Sequence, residues 1–107
     1  MVYLVFSAKL APWNEAYSPK LMAQTMGIIV VELTYRLNIF GFLALEALNQ
    51  YGSDTNTSGN YGFYDQIAAL QWVKNNIIYF GGDPNNVVLN GQSSGGFCVS
   101  FVNKSIS

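Results

Sequence analysis

The 107-residue sequence predicts an α/β fold with a mostly parallel sheet and crossover helices. Three observations carry that prediction. Short β-branched and aromatic runs alternate with helical segments along the chain. Gly27-Ile28-Ile29-Val30-Val31 places five non-polar residues in a row before Glu32, the pattern of a strand covered on both faces. Tyr61 to Tyr79 is long enough to serve as the crossover between two parallel strands.

Taken in order, Val2 to Phe6 reads as the first strand. A loop with Pro12, Trp13 and Asn14 follows. Ser18 before Pro19 is the signature of an N-cap with proline at the first helical position, so a short helix runs to about Gly27. Gly27 to Tyr35 is the second strand. Arg36 to Leu43 is aromatic and glycine-bearing, and Asn49 to Asn60 is a polar surface loop. In Tyr61 to Tyr79, the residues Phe63, Ile67, Leu70, Val73 and Ile77 fall at spacings of three and four and predict one buried helix face. Gly81-Gly82 stops that helix, Asn86 to Asn90 forms a third short strand, and another helix opens at about Ser94.

Composition bounds the surroundings. Hydrophobic residues make up 50% of the chain and charged residues 10%, against roughly 25% charged in an ordinary soluble domain. Small domains expose proportionally more surface and need more charge. The expectation is therefore a piece from the middle of a larger structure, with neighbours covering its faces. A net charge of −1 provides no basic footprint for nucleic acid. No apolar stretch approaches the roughly 18 residues of a membrane span. Met1 is followed by no basic segment, so a signal peptide is not expected. Cys98, the single cysteine, is expected as a buried thiol, and no cofactor or metal is expected.

The motif with chemical content is Gly91-Gln92-Ser93-Ser94-Gly95, which matches Gly-x-Ser-x-Gly. A serine lifted above a sheet sits on a strained strand-to-helix turn, and the residues two before and two after it have room only as glycine. Ser93 is the candidate nucleophile. A helix opening beside it directs N–H groups toward developing negative charge. A tight glycine turn with an idle serine is the competing reading of the motif by itself. The predicted strand before it and helix after it favour the nucleophile.

Four segments, in order, resemble the type-B carboxylesterase and cholinesterase family, whose members are α/β-hydrolases. They are Tyr35-Arg36-Leu37 with Phe40-Gly41-Phe42-Leu43; Gly59-Asn60-Tyr61-Gly62 with Asp65 to Leu70; Trp72-Val73 with Asn76-Ile77; and Phe80 to Val87 running into the Ser93 turn. Residues 1–107 read as a partial domain of this kind, with the closest resemblance over 27–96. The resemblance implies a fragment of an α/β-hydrolase fold with its nucleophile elbow near the C-terminus, and a small-molecule carboxylic ester as substrate. It implies Ser93 as nucleophile and the backbone N–H of Ser94 as an oxyanion donor. Gln92 stands where the family most often has glutamate. Phe6-Ser7-Ala8-Lys9 stands where the family has a glycine-rich oxyanion loop, and loss of one oxyanion donor costs about 10² to 10³ in turnover.

The family's acid and histidine lie far downstream of the serine. No histidine occurs in these 107 residues, and nothing acidic follows Ser93. An incomplete triad leaves three readings: part of an active serine esterase, a catalytically dead relative that binds a partner protein in adhesion, or a truncated fragment with no function of its own. By itself the chain is expected to be inactive and to lack a cooperative unfolding transition as a monomer.

Other residues have structural expectations. Asp65 is read as a helix-face or buried hydrogen-bonding group rather than a triad acid, and Glu32 and Arg36 as a structural pair if they meet. Tyr35, Phe40, Phe42 and Trp72 are read as core aromatics in preference to a ligand pocket, with Trp13 left open between the two. Asn56-Thr57-Ser58 and Asn103-Lys104-Ser105 fit the N-glycosylation pattern. They agree with the secretory pathway common in the family, whereas the absent signal peptide argues against it.

Overall fold

The computed structural model describes residues 1–7, 18–51 and 57–106. Three strands, β1 (Val2–Ser7), β2 (Ile29–Thr34) and β3 (Val87–Gly91), form one parallel sheet in the order β2-β1-β3. Val2 is in register with both Ile29 and Val87, and Phe6 with both Leu33 and Gly91. Among the described residues the α-helices are α1 (Pro19–Met26), α2 (Asn38–Phe42), α3 (Tyr61–Asn76) and α4 (Ser94–Ile106). The first crossover passes from β1 outward to β2, and the second returns over β1 to β3. Right-handed crossovers in opposite directions place their helices on opposite faces. Accordingly, α1 lies with Tyr3 and Val5 on one face. On the other, Val2, Leu4 and Phe6 share a core with Leu33, Tyr35, Val73, Ile77 and Cys98.

The strand covered on both faces is β1, not β2 as the apolar run suggests. Val2, Leu4, Val5 and Phe6 are all buried, whereas β2 is half-buried along most of its length. The reason is position: within this sheet β1 is central and β2 lies at an edge. Each fully buried Val, Leu or Phe side chain stabilises the fold by roughly 1.5–3 kcal/mol.

Local signals explain the helix ends. Ser18 occupies the N-cap of α1 with Pro19 in the first turn, although the Ser18 side chain makes no capping bond. Gly27, at φ 60, closes α1 in the left-handed conformation, and its N–H bonds the Ala23 carbonyl. Gly81, at φ 78, ends the 3₁₀ turn Ile77–Phe80 that continues α3. The buried stripe of α3 differs from the expected one. It runs through Gly62, Gln66, Val73 and Ile77, with Phe63, Ala69 and Leu70 partly covered. Gln66 is 0% exposed; hydrophobic spacing cannot reveal a buried polar residue.

Arg36 pairs with a charge distant in the sequence, Asp65. The Arg36 guanidinium donates from Nε to Asp65 Oδ2 at 2.8 Å and from Nη2 to Oδ1 at 2.8 Å. Its backbone N–H donates to Oδ2 at 2.9 Å. The carboxylate on α3 is thus gripped by three bonds from the end of β2, in the structural role expected of Asp65. The Arg36 carbonyl oxygen fills the space that a Cβ on Gly41 or Gly62 would occupy. Hydrogen bonding from Arg36 holds the Asp65 carboxyl below its ordinary value, against the opposing effect of partial burial.

Among the core aromatics, Tyr35 is buried as expected. Phe40 is 75% exposed, Trp72 48% and Phe42 only partly covered; Phe42 packs edge-on against Phe63. Phe97 is 82% exposed on α4. Aromatic surface open on this scale is what the low charge content foreshadows. Trp13 and Asn56 lie outside the described residues. No helix among the described residues is long and apolar enough to cross a membrane.

Two outcomes are expected. In the protein that carries this chain, Asp65→Asn should lower stability at neutral pH by about 1 kcal/mol, a modest loss because Arg36 is 53% exposed. A carboxyl lowered in the folded state stabilises above its unfolded value, about 3.9, and that contribution disappears as pH falls through the folded value. Denaturant midpoints of parent and variant should therefore converge in acid. Produced by itself, the 107-residue polypeptide should bind a hydrophobic dye and self-associate; a sharp two-state melt of a dilute monomer would contradict this.

Candidate active site

The site is built at the carboxyl end of the sheet, where open α/β folds place their ligands. β3 ends at Gly91, in register with Phe6 of the central strand. Gln92 and Ser93 form the turn, and α4 begins at Ser94. Ser93 is exposed and holds φ 57. Asn38 and Asn60 also have positive φ, but asparagine tolerates that region. A serine there stores of order 1–3 kcal/mol of backbone strain, which persists only where the surroundings impose it.

Those surroundings are backbone contacts. A Cβ on Gly95 would overlap the Phe6 carbonyl oxygen, and one on Gly91 would overlap the Gly95 carbonyl. The end of β1, the end of β3 and the first turn of α4 therefore meet at van der Waals distance. That convergence is the physical content of the two motif glycines. Gly96 is less constrained, since a Cβ there would lie 3.2 Å from the Gly91 oxygen.

The turn consumes its own donors in a defined way. The Gly95 N–H bonds the Gln92 carbonyl at 2.9 Å, and the Gly96 N–H bonds the Ser93 carbonyl at 2.9 Å. Ser94, as the first residue of α4, has no intrahelical acceptor for its N–H. The positive end of the helix dipole lies at the same point. The structure thus brings Ser93 and the N–H of Ser94 together on adjacent residues of one turn. The segment expected to add a second donor, Phe6-Ser7-Ala8-Lys9, is described only through Ser7.

Under the turn lies a polar cluster with no counterpart in the motif reading. Tyr35, from the end of β2, is buried. Its phenol accepts a hydrogen bond from the Cys98 thiol at 3.4 Å. Burial first, and the thiol second, push the Tyr35 phenol up to about 12. Cys98 is buried and free, as expected of a lone cysteine. Beside the elbow on the opposite face of the sheet is a groove lined by Tyr3, Val5, Pro19, Met22 and Gln92. The Asn90 amide there donates to the Tyr3 hydroxyl at 2.9 Å. Among the described residues, no group of three or more metal-ligating side chains gathers.

Gly95→Ala, in the protein that carries this chain, should destabilise by about 1–3 kcal/mol or more, because backbone rather than a movable side chain must yield. Gly96→Ala should cost clearly less. Denaturant midpoints of the two variants check the order; equal losses would remove the steric account of the motif.

The model of the carboxylesterase family matches residues 1–105. The acetylcholinesterase of Leptinotarsa decemlineata is 44% identical over 87 residues, 81% of this chain and 14% of that protein. The para-nitrobenzyl esterase of Bacillus subtilis (strain 168) is 46% identical over 84 residues, 78% of this chain and 16% of that protein. The crystal structure of Aspergillus niger EstA superposes with a TM-score of 0.75 at 35% identity, covering 94% of this chain and 19% of that one. The chain therefore spans less than a fifth of the length of each of these relatives. Its parallel sheet, glycine-crowded strand–turn–helix and matched sequence agree: this chain belongs to the carboxylesterase family.

Proposed function

We propose that the protein carrying this chain hydrolyses a small-molecule carboxylic ester, with Ser93 as nucleophile and the Ser94 N–H as an oxyanion donor. The observation that carries the reading is the strained, exposed Ser93 at φ 57, held between glycines that leave no room for a Cβ. Backbone strain of this kind, imposed by the surroundings on an exposed serine, clusters at active sites. Hydrolysis of esters by relatives such as the para-nitrobenzyl esterase supports the same substrate class.

The chemistry follows from the parts. Ser93 Oγ adds to the ester carbonyl carbon while a base accepts its proton. The carbonyl oxygen gains negative charge beside the N-terminus of α4, where the Ser94 N–H donates to it. Collapse of the adduct breaks the bond to the alcohol, which leaves with the proton, and water then releases the acid from Ser93. These residues contain no histidine, so an imidazole base has to come from elsewhere in the protein.

A second reading, a non-catalytic partner-binding protein, draws on the missing glycines at Phe6-Ser7-Ala8-Lys9. The two separate on one comparison. In the ester-hydrolase reading, a fluorophosphonate probe labels the protein at Ser93, and Ser93→Ala loses both labelling and ester turnover, by at least about 10³-fold. Partner binding unaffected by Ser93→Ala, in a protein that neither turns over esters nor takes the probe, would establish the binding reading instead.

A further inference from the structure

We propose that Asn90 is a site of spontaneous deamidation, and that the Tyr3 hydroxyl restrains the reaction while the sheet is folded. The inference stands apart from the ester-hydrolase reading, because it concerns the main chain that leads into the Ser93 turn and not the chemistry of the serine.

Asn90 precedes Gly91, and no other asparagine of the chain is followed by glycine. In such a pair the residue that attacks carries no Cβ to hinder it. The Gly91 nitrogen loses its proton and adds to Asn90 Cγ, ammonia leaves, and a five-membered imide closes. Water then reopens the ring. Attack at Cγ leaves an aspartyl residue in the original chain, whereas attack at the main-chain carbonyl routes the chain through Cγ and leaves an isoaspartyl link. Water enters, ammonia departs, and nothing is oxidised or reduced.

The sheet restrains the amide and not the attacking nitrogen. The Val2 N–H donates to the Asn86 carbonyl at 2.9 Å. By the alternation of a parallel ladder, residues 86, 88 and 90 therefore face β1, and Gly91 directs its N–H away from that strand. The side chain is held differently. Asn90 Nδ2 donates to the Tyr3 hydroxyl at 2.9 Å. The two form a diagonal pair, since Tyr3 is in register with Val88 and Asn90 with Val5. Ring closure has to swing Cγ toward the main chain, which breaks this bond.

The products do not suit the position. An isoaspartyl link adds one carbon to the main chain immediately before Gly91, where even a Cβ would overlap the Gly95 carbonyl. The aspartyl product has no N–H to donate to Tyr3.

Peptide mass mapping of the full-length protein, aged in mildly alkaline buffer, tests the proposal. Unfolded in urea, Asn90 should convert to aspartyl and isoaspartyl forms ahead of every other asparagine of residues 1–107; in the folded protein the conversion should be slower. Tyr3→Phe keeps the ring and removes the acceptor. It should speed the conversion in the folded protein about 3- to 10-fold, the factor that one ordinary hydrogen bond represents, with amide exchange across β1 unchanged. Equal rates in parent and Tyr3→Phe, or in folded and unfolded parent, would overturn the proposal. Acceleration accompanied by faster exchange across β1 would overturn it too, because the strand itself would then have opened.

Discussion

Three pieces of backbone compete for one small volume at the carboxyl end of the sheet. The Phe6 carbonyl, the end of β3 at Gly91 and the first turn of α4 at Gly95 approach until no side-chain carbon fits among them. From this contact the other properties of the region descend. It requires glycine at two positions, brings α4 against the central strand, and forces the reversal between β3 and α4 into two residues. A reversal that short places Ser93 in the left-handed region and leaves its side chain outside, above the sheet. The strain at Ser93 and the crowding at the glycines are two aspects of one geometric demand.

A tight turn of this kind needs a rigid base, which two different interactions provide. Below it, β1 is covered on both faces, so its carbonyl at Phe6 is held by a dry core of Val2, Leu4, Val73, Ile77 and Cys98. At the side, Arg36 at the end of β2 grips Asp65 on α3 in a two-pronged pairing reinforced by its own backbone N–H. That pairing links the edge strand to the crossover helix beneath it. Because both partners retain solvent contact, its value lies more in geometric definition than in large stabilisation. Tyr35, the residue just before Arg36, meets α4. Two successive residues thus connect β2 to two different helices.

The apolar surface of the chain follows the same logic of incomplete enclosure. Phe40, Trp72, Phe80 and Phe97 are exposed although the chain has few charges with which to compensate. The curated relatives are several times longer, and the sheet as described ends in an edge at both β2 and β3. Unpaired strand edges and open aromatic faces are unfavourable in water, so the energetics of these residues belong to the whole protein.

The sequence by itself determined what local rules govern. Pro19 and Gly27 bound α1, Gly81 ends the α3 region, and the spacing Gly91-x-Ser93-x-Gly95 announces a strand–turn–helix with an exposed serine; each acts through backbone angles or sterics within a few residues. Tertiary structure decided what depends on partners distant along the chain. The apolar run of β2 read as a doubly covered strand, yet β1 took the central place because sheet order, not composition, sets coverage. Gln66 entered the core against its polarity because the helix face that meets the sheet includes it. Arg36 pairs with Asp65, 29 residues away, because the crossover brings α3 back beneath β2. The Tyr35–Cys98 contact was illegible for the same reason. A residue's own sequence neighbourhood specifies its backbone, whereas its hydrogen-bond partner across 63 residues exists only once the chain has folded back on itself.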